Sequence, residues 1–337
     1  MPADSLSSAE EPVYLNWNMS VEELDRAIAL NPQDAVAYFK RGVFQSNREE
    51  HAGAIADYDR ALALNPEEAH AYYNRGLSKY YLQQYPGAIT DYDQAIELNP
   101  DAATYFNRGL AKDNLQDYGG AITDYDRAID LNPQKANAYY CRGYAKFKLQ
   151  DYVGAIMDYD CAIELQPQEA AAHYNRGLAK DNLQDYAGAI ADYDRALELN
   201  PQHAKAYYSR GYMKDDLADY VGALADYDGA IELQPDFVFA YHDRGYTKAT
   251  LEDYAGAIAD YDRAIALQPD LASAYHNRGA AKDQLGDYAE AIADYDHAIE
   301  LDPQDAAVYH DRSTAREQLG DVAGAAADRE RAAQWAA

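Results

Sequence analysis

Three imidazoles, on His242, His276 and His310, recur at a spacing of 34 residues. Evenly spaced histidines are the first side chains to weigh as metal ligands or acid–base groups. Aspartates keep the same beat: an Asp-Tyr-Asp tripeptide stands at 57–59, 91–93, 124–126 and onward to 294–296, and paired carboxylates could hold a cation or a basic partner. Arginine follows at 41, 75, 108, 142, 176, 210, 244, 278 and 312, and lysine at 79, 112, 146, 180, 214, 248 and 282. A catalytic constellation is assembled once, from unlike residues, so rows that repeat along the chain fit a scaffold better. Neighbouring helices lie roughly 10 Å apart, too far for successive imidazoles to share one ion. No glycine-rich phosphate loop, nucleophile elbow or zinc-ligand spacing occurs. The expectation is therefore no catalytic residue, no metal and no cofactor, with a pH-sensitive patch as the alternative use of the three imidazoles.

The elements that must carry these rows follow from the prolines. They fall at 32, 66, 100, 133, 167, 201, 235, 269 and 303, in steps of 34 apart from a single step of 33 between Pro100 and Pro133. Numbering each repeat so that proline is position 32, with two linker residues after it, gives nine repeats: 35–68, 69–101, 102–135, 136–169, 170–203, 204–237, 238–271, 272–305 and 306–337. A half repeat, 17–34, precedes them as a cap, and 1–16 is expected to be disordered or irregular. Apolar residues at positions 20, 21, 24, 27, 28 and 30 keep helical spacing. They predict a second helix over about positions 17–30, such as Tyr85–Leu98, after a first helix over about 3–14, such as Ala71–Leu82. Asp at position 16 (Asp117, Asp151, Asp185, Asp219, Asp253, Asp287, Asp321) suits the N-cap of the second helix, and the proline stops it. Gly at position 8, as in Gly42 and Gly76, costs about 1 kcal/mol inside a helix, so it predicts a close helix contact, opposite the Ala at position 20. Identical segments at 107–118 and 175–186 point to duplication of a two-repeat unit.

The ends differ from the interior. Arg329 and Ala333 replace the Tyr and the Ile or Leu of positions 24 and 28, which makes the face for a further repeat polar and small, so the array is expected to close there. Trp335 is expected to pack under the last helix, and Trp17 under a helix near Val21–Leu30. The residue missing between Pro100 and Tyr105 is expected either to alter the stacking step or to be neutral.

An aromatic at position 4, Gly at 8, Ala at 20, Tyr at 24, Ala at 27 and Pro at 32, held over 35–337, resembles the tetratricopeptide repeat family. The resemblance implies an all-α fold: a right-handed superhelical solenoid of antiparallel helix pairs, with first helices lining a concave groove. Carried over residue by residue, the groove positions 5, 6 and 9 place Tyr73, Asn74, Leu77, Phe106, Asn107, Tyr140, Tyr144, Tyr174, Asn175, Tyr208, Tyr212, His242, Tyr246, His276 and Asn277 at a peptide-binding surface. Position 12 edges it with Asp113, Asp181, Asp215, Asp283 and Glu317. Rings bordered by carboxylates suit a segment carrying Lys or Arg. The other use of positions 5 and 9 is packing against neighbouring helices, expected for about half of these side chains. The rings at 4, 17 and 24 are expected in the core, which accounts for 33 Tyr against 6 Phe.

Several positions depart from the family pattern. Position 7, usually Leu, is Arg, and position 11, usually aromatic, is mostly Lys, while Asp recurs in step at 23 and 25. This predicts an internal ladder of Arg–Asp pairs, the alternative being a basic stripe for an acidic ligand. Asparagine at position 6, which in some members holds a peptide backbone, is interrupted by Lys40, Cys141, Ser209, Asp243 and Asp311. The Lys at 5 and Asn at 9 that clamp a chaperone's C-terminal carboxylate are absent, which disfavours that role.

Lys and Arg number 29 against 58 Asp and Glu, a net charge of −29, which disfavours nucleic acid and anionic membrane surfaces and favours basic partners. The start, MPADSLSSAEEP, reads as neither a secretory leader nor a presequence, and no apolar stretch is long enough to span a membrane. Two cysteines, Cys141 and Cys161, exclude a disulfide framework. A cytoplasmic scaffold for a protein or peptide partner is the expected function; the alternative is a structural protein that assembles into homo-oligomers.

Overall fold

A computed structural model describes residues 19–335, and within them the chain is all-helical, with 19 helices and no strand. The chain folds as two compact units, one running to Gln184 and the other beginning at Asp185. In the first, α1 (Val21–Leu30) precedes four antiparallel pairs: α2 (Ala35–Ser46) with α3 (His51–Leu64), α4 (Ala69–Tyr81) with α5 (Tyr85–Leu98), α6 (Ala102–Asn114) with α7 (Tyr118–Leu131), and α8 (Ala136–Lys148) with α9 (Tyr152–Leu165). The unit ends with α10 (Ala170–Asn182). The second begins with α11 (Tyr186–Leu199) and continues with α12 (Ala204–Asp216) and α13 (Tyr220–Leu233), α14 (Val238–Thr250) and α15 (Tyr254–Leu267), α16 (Ala272–Gln284) and α17 (Tyr288–Leu301), then α18 (Ala306–Gln318) and α19 (Val322–Trp335). Within each unit every helix packs on its neighbours in sequence, and first helices of successive repeats also touch, as α4 does α6 and α14 does α16.

The second helices span positions 17–30, as their apolar spacing predicts. The first helices begin at position 1 rather than 3, because the residue before it is the N-cap: the Asp34, Asp101 and Asp305 carboxylates accept backbone N–H groups of α2, α6 and α18. Asp at position 16 caps second helices as expected, the Asp151 carboxylate accepting from Gly154 N at 3.0 Å and Asp219 from Gly222 N at 3.1 Å. Asp287 is the exception and makes no side-chain cap. Position 19, glycine in the capped helices, is Glu290 there, and a Cβ built on Gly120 or Gly154 would collide with the capping carboxylate.

Tyrosine at position 24 forms the spine of the core: Tyr58, Tyr92, Tyr125 and Tyr159 are 0% exposed. Burial pushes the phenols of Tyr92, Tyr125 and Tyr159 far above their ordinary range. Burying such a ring contributes roughly 2–3 kcal/mol. Gly at position 8 does mark a close contact, but chiefly with this ring rather than with Ala at 20. A Cβ on Gly42 would lie 2.7 Å from the Tyr58 ring, and only second at Gly76 comes the Ala88 carbonyl, at 3.3 Å. The rings at positions 4 and 17 are mostly half-buried rather than core, Tyr72 and Tyr85 among them.

The turn inside each repeat passes through the left-handed region at position 15, held by Glu49, Gln83, Gln116, Gln150, Gln184, Ala218 and Glu252 at φ of 59–63° and by Gly286 and Gly320 at 84° and 79°. Trp335 ends α19 and is 38% exposed, so it is not buried beneath that helix as expected but leaves more than a third of its surface open. Trp17 and the segment 1–16 lie outside the described residues. No described helix is long and apolar enough to cross a membrane.

Candidate functional site

The charged rows resolve into an internal ladder. Arg75 donates through Nε and Nη2 to the two carboxylate oxygens of Asp91, at 3.0 and 2.6 Å, and through Nη1 to Asp59 of the preceding repeat at 2.7 Å. Lys79 Nζ reaches the same Asp91 at 2.7 Å. The arrangement repeats at Arg108, Arg142, Arg210 and Arg278 with Asp124, Asp158, Asp226 and Asp294. Each arginine also lies over the ring at position 4 of its own repeat, 5.4 Å for Arg75 on Tyr72. A fork gripping one carboxylate and touching the next joins the two helices of a repeat and that repeat to its predecessor. These cations are therefore committed to the fold, and the stripe for an acidic ligand is not formed by them.

The asparagine row is also occupied. Tyr73 Oη accepts from Asn107 Nδ2 at 2.9 Å and Tyr140 Oη from Asn175 at 2.7 Å; in the second unit Tyr208 Oη donates to Asp243 at 2.7 Å. Asn277 meets His242 Nε2 at 3.2 Å and His276 Nε2 meets Asp311 at 2.8 Å. Position 5 of one repeat thus bonds position 6 of the next, and these side chains do not wait for a peptide backbone. The signal was present in the sequence as a hydroxyl or imidazole followed 34 or 35 residues later by Asn or Asp. Asn74, which follows Phe39, lacks such a partner; its Nδ2 turns to the His70 carbonyl at 2.8 Å and its buried Oδ1 has none.

Burial divides the expected surface. Tyr73, Asn74, Leu77, Phe106, Asn107 and Tyr140 are all at most 4% exposed; they are core side chains of the first unit and cannot line an open trough. Tyr144, Tyr174, Asn175, Tyr208, His242, His276 and Asn277 are half-buried. Tyr212 and Tyr246 are open, at 45% and 54%. Small residues make the difference: Ala249 on α14 and Ala280 on α16 leave a cavity of about 260 Å³, also lined by Tyr246, Thr250, Asn277 and Gln284. Carboxylates border these first helices. Burial raises Asp215, despite a hydrogen bond from Thr247, and raises Asp283. In the first unit burial pushes Asp113 up to about 6, against the field of Lys148. His276 and His310 hold Asp311 below the usual carboxylate range against the opposing effect of its burial. Among the described residues no group of three or more His, Cys, Asp or Glu side chains stands where it could hold a metal ion. Cys141 is buried and Cys161 half-buried, both as thiols.

Comparison with protein families matches the description "Tetratricopeptide repeat" at residues 41–105, 249–310 and 170–203, and "TPR repeat" at 114–150 and 143–181. A search of curated proteins gives no match. Among solved structures, the C-terminal part of a TPR repeat-containing protein from Cytophaga hutchinsonii is 20% identical, covering 71% of this chain and 98% of its own, with a TM-score of 0.61. A tetratricopeptide repeat protein from Parabacteroides merdae is 19% identical over 73% of this chain and 98% of its own, TM-score 0.54. YrrB, described as a TPR protein with an unusual peptide-binding site, is 24% identical over 57% of this chain and 99% of its own, TM-score 0.52.

Proposed function

The chain belongs to the tetratricopeptide repeat family, and from that premise we propose that it is a protein-interaction scaffold whose first helices bind a partner segment carrying Lys or Arg. One observation carries the reading. In the second unit the ladder engages Arg210 and Lys214, Arg244 and Lys248, and Arg278 and Lys282, while Tyr212, Tyr246 and the cavity between α14 and α16 stay exposed, with Asp215 and Asp283 on the same row of first helices. Open rings offer contact area and a face for a cation, and the acidic surroundings steer positive charge towards them. Scaffolding needs no catalytic group, and no residue is assigned one.

The test is selection of peptides from a random display library on the purified full chain, followed by affinity measurement. Selected peptides should be rich in Lys or Arg, and Tyr212→Ala with Tyr246→Ala should weaken them by about 2 kcal/mol, roughly thirtyfold. Binding that survives both substitutions unchanged overturns the groove assignment. Self-association is a second reading, favoured by Val153 and Met157, four residues apart on α9 and 60% and 64% exposed. Light scattering over a concentration series decides it: a constant monomer mass dismisses it.

A further inference from the structure

Position 12 of one first helix stands beside position 9 of the next, as Asp113 does beside Tyr144. The residue types at the two positions are complementary. Where position 12 is a ring, position 9 of the following repeat is leucine: Tyr80 with Leu110, Phe147 with Leu178. Where position 12 is aspartate, position 9 is tyrosine: Asp113 with Tyr144, Asp215 with Tyr246. Each of these junctions therefore holds one ring. Between α14 and α16 both positions are alanine, Ala249 and Ala280, and the cavity of about 260 Å³ opens there. The next junction pairs Asp283 with Thr314, so a carboxylate takes the place of a ring at position 12.

The first unit shows what fills the equivalent space. There the ring at position 12 packs edge-on against the tyrosine at position 17 of its own repeat, with centres 5.6 Å apart for Tyr80 and Tyr85 and 5.4 Å for Phe147 and Tyr152. Tyr254 holds position 17 at the empty junction; it lines the cavity, is half-buried, and among the described residues has no ring partner. The way in is open, because Tyr246 is 54% exposed and Thr250 and Gln284 are exposed beside it. We propose that this cavity takes an aromatic side chain, Phe or Tyr, of a bound partner segment, seated against Tyr254 as Phe147 is seated against Tyr152. Alanine walls leave room for the ring, and edge-on packing of two rings is favourable beyond the area it buries. Charge sets what flanks that ring. Asp215 on α12 and Asp283 on α16 hold position 12 on either side of Ala249, both half-buried and neither ion-paired among the described residues. First helices stand roughly 10 Å apart and an extended chain advances about 3.3 Å per residue, so Lys or Arg three residues before and after the ring reaches the two carboxylates. The socket rests on the groove reading for these basic residues and adds the ring and its spacing from them.

The capped heptapeptide Lys-Ser-Gly-Phe-Gly-Ser-Lys, titrated into isotope-labelled full-length chain and followed by amide shifts, tests it. Saturable shifts should gather at Ala249, Thr250, Ala280 and Gln284, and alanine in place of the peptide's phenylalanine should weaken binding about tenfold. Ala249→Phe supplies from within the ring that Phe147 gives its own repeat and should abolish the shifts. Ala280→Leu fills the same space from the next helix, so the test does not depend on one variant folding; far-UV spectra check both. No saturable shift up to roughly 10 mM, too weak for a docking site, equal binding of the alanine peptide, or binding that survives in both filled variants overturns the socket. A peptide with glutamine for both lysines separates this proposal from the groove reading. Undiminished binding that still needs the phenylalanine sinks the basic partner and keeps the socket; lysine-dependent binding indifferent to the phenylalanine does the reverse.

Discussion

A single oxygen separates Tyr73 from Phe39, and the structure shows what that oxygen does. The Tyr73 hydroxyl meets Asn107 of the next repeat at 2.9 Å. Phe39 precedes Asn74 in the same relation and has no hydroxyl, and Asn74 Oδ1 is buried without a partner. A buried carbonyl left unpaired costs about 1–3 kcal/mol, and a new hydrogen bond recovers part of that. Phe39→Tyr is expected to raise stability by about 1 kcal/mol in urea melts, and Asn74→Ala in that background should remove the gain; no gain would show that the hydroxyl points elsewhere. Asp113 presents the opposite case, a carboxyl that burial pushes up to about 6 from an ordinary value of 3.8. A raised carboxyl disfavours the charged form in the folded chain, so its cost is absent below about pH 4, grows as pH rises through 6 and is complete above it. The shift corresponds to about 3 kcal/mol at pH 7. Asp113→Asn should therefore stabilise the chain at pH 7 and give little or no benefit at pH 3.5, read by urea melts at the two values.

At the scale of the element, capping separates helices that look alike. Asp151 caps α9 through Gly154 N, whereas Asp287 before α17 makes no such bond beside Glu290. Asp151→Ala should cost about 1 kcal/mol and Asp287→Ala nearly nothing, measured by denaturant melts; equal losses would refute the assignment. The second helices were legible because period, N-cap and proline agree at both ends. The starts of the first helices were not, because the cap position holds Asp34, Lys135, Phe237 or Leu271 in different repeats, and only some of these can cap. The ladder was readable because acids and bases recur in step. The fate of the rings at position 5 was not: Tyr73 and Tyr208 are the same residue at the same position, yet one is buried and the other half-buried. What covers each ring comes from residues of the next repeat's linker, as Phe237 does for Tyr208.

For the molecule as a whole, a net charge of −29 coexists with a fold held by cations, because each ladder arginine is shared between carboxylates of successive repeats. A stack in which each pair leans on its neighbours has no central core to average out local cost. The left-handed turns then acquire a consequence. A side chain at that backbone angle costs about 1 kcal/mol or more that glycine avoids, and Gln116 bears it while Gly286 and Gly320 do not. Gln116→Gly should slow amide hydrogen exchange in α6 and α7, and Gly320→Gln should hasten it in α18 and α19, each effect fading within a repeat or two. The relaxed bends occupy the turns from α16 to α17 and from α18 to α19, so these two repeats hold their helices together with less backbone cost than the repeats before them.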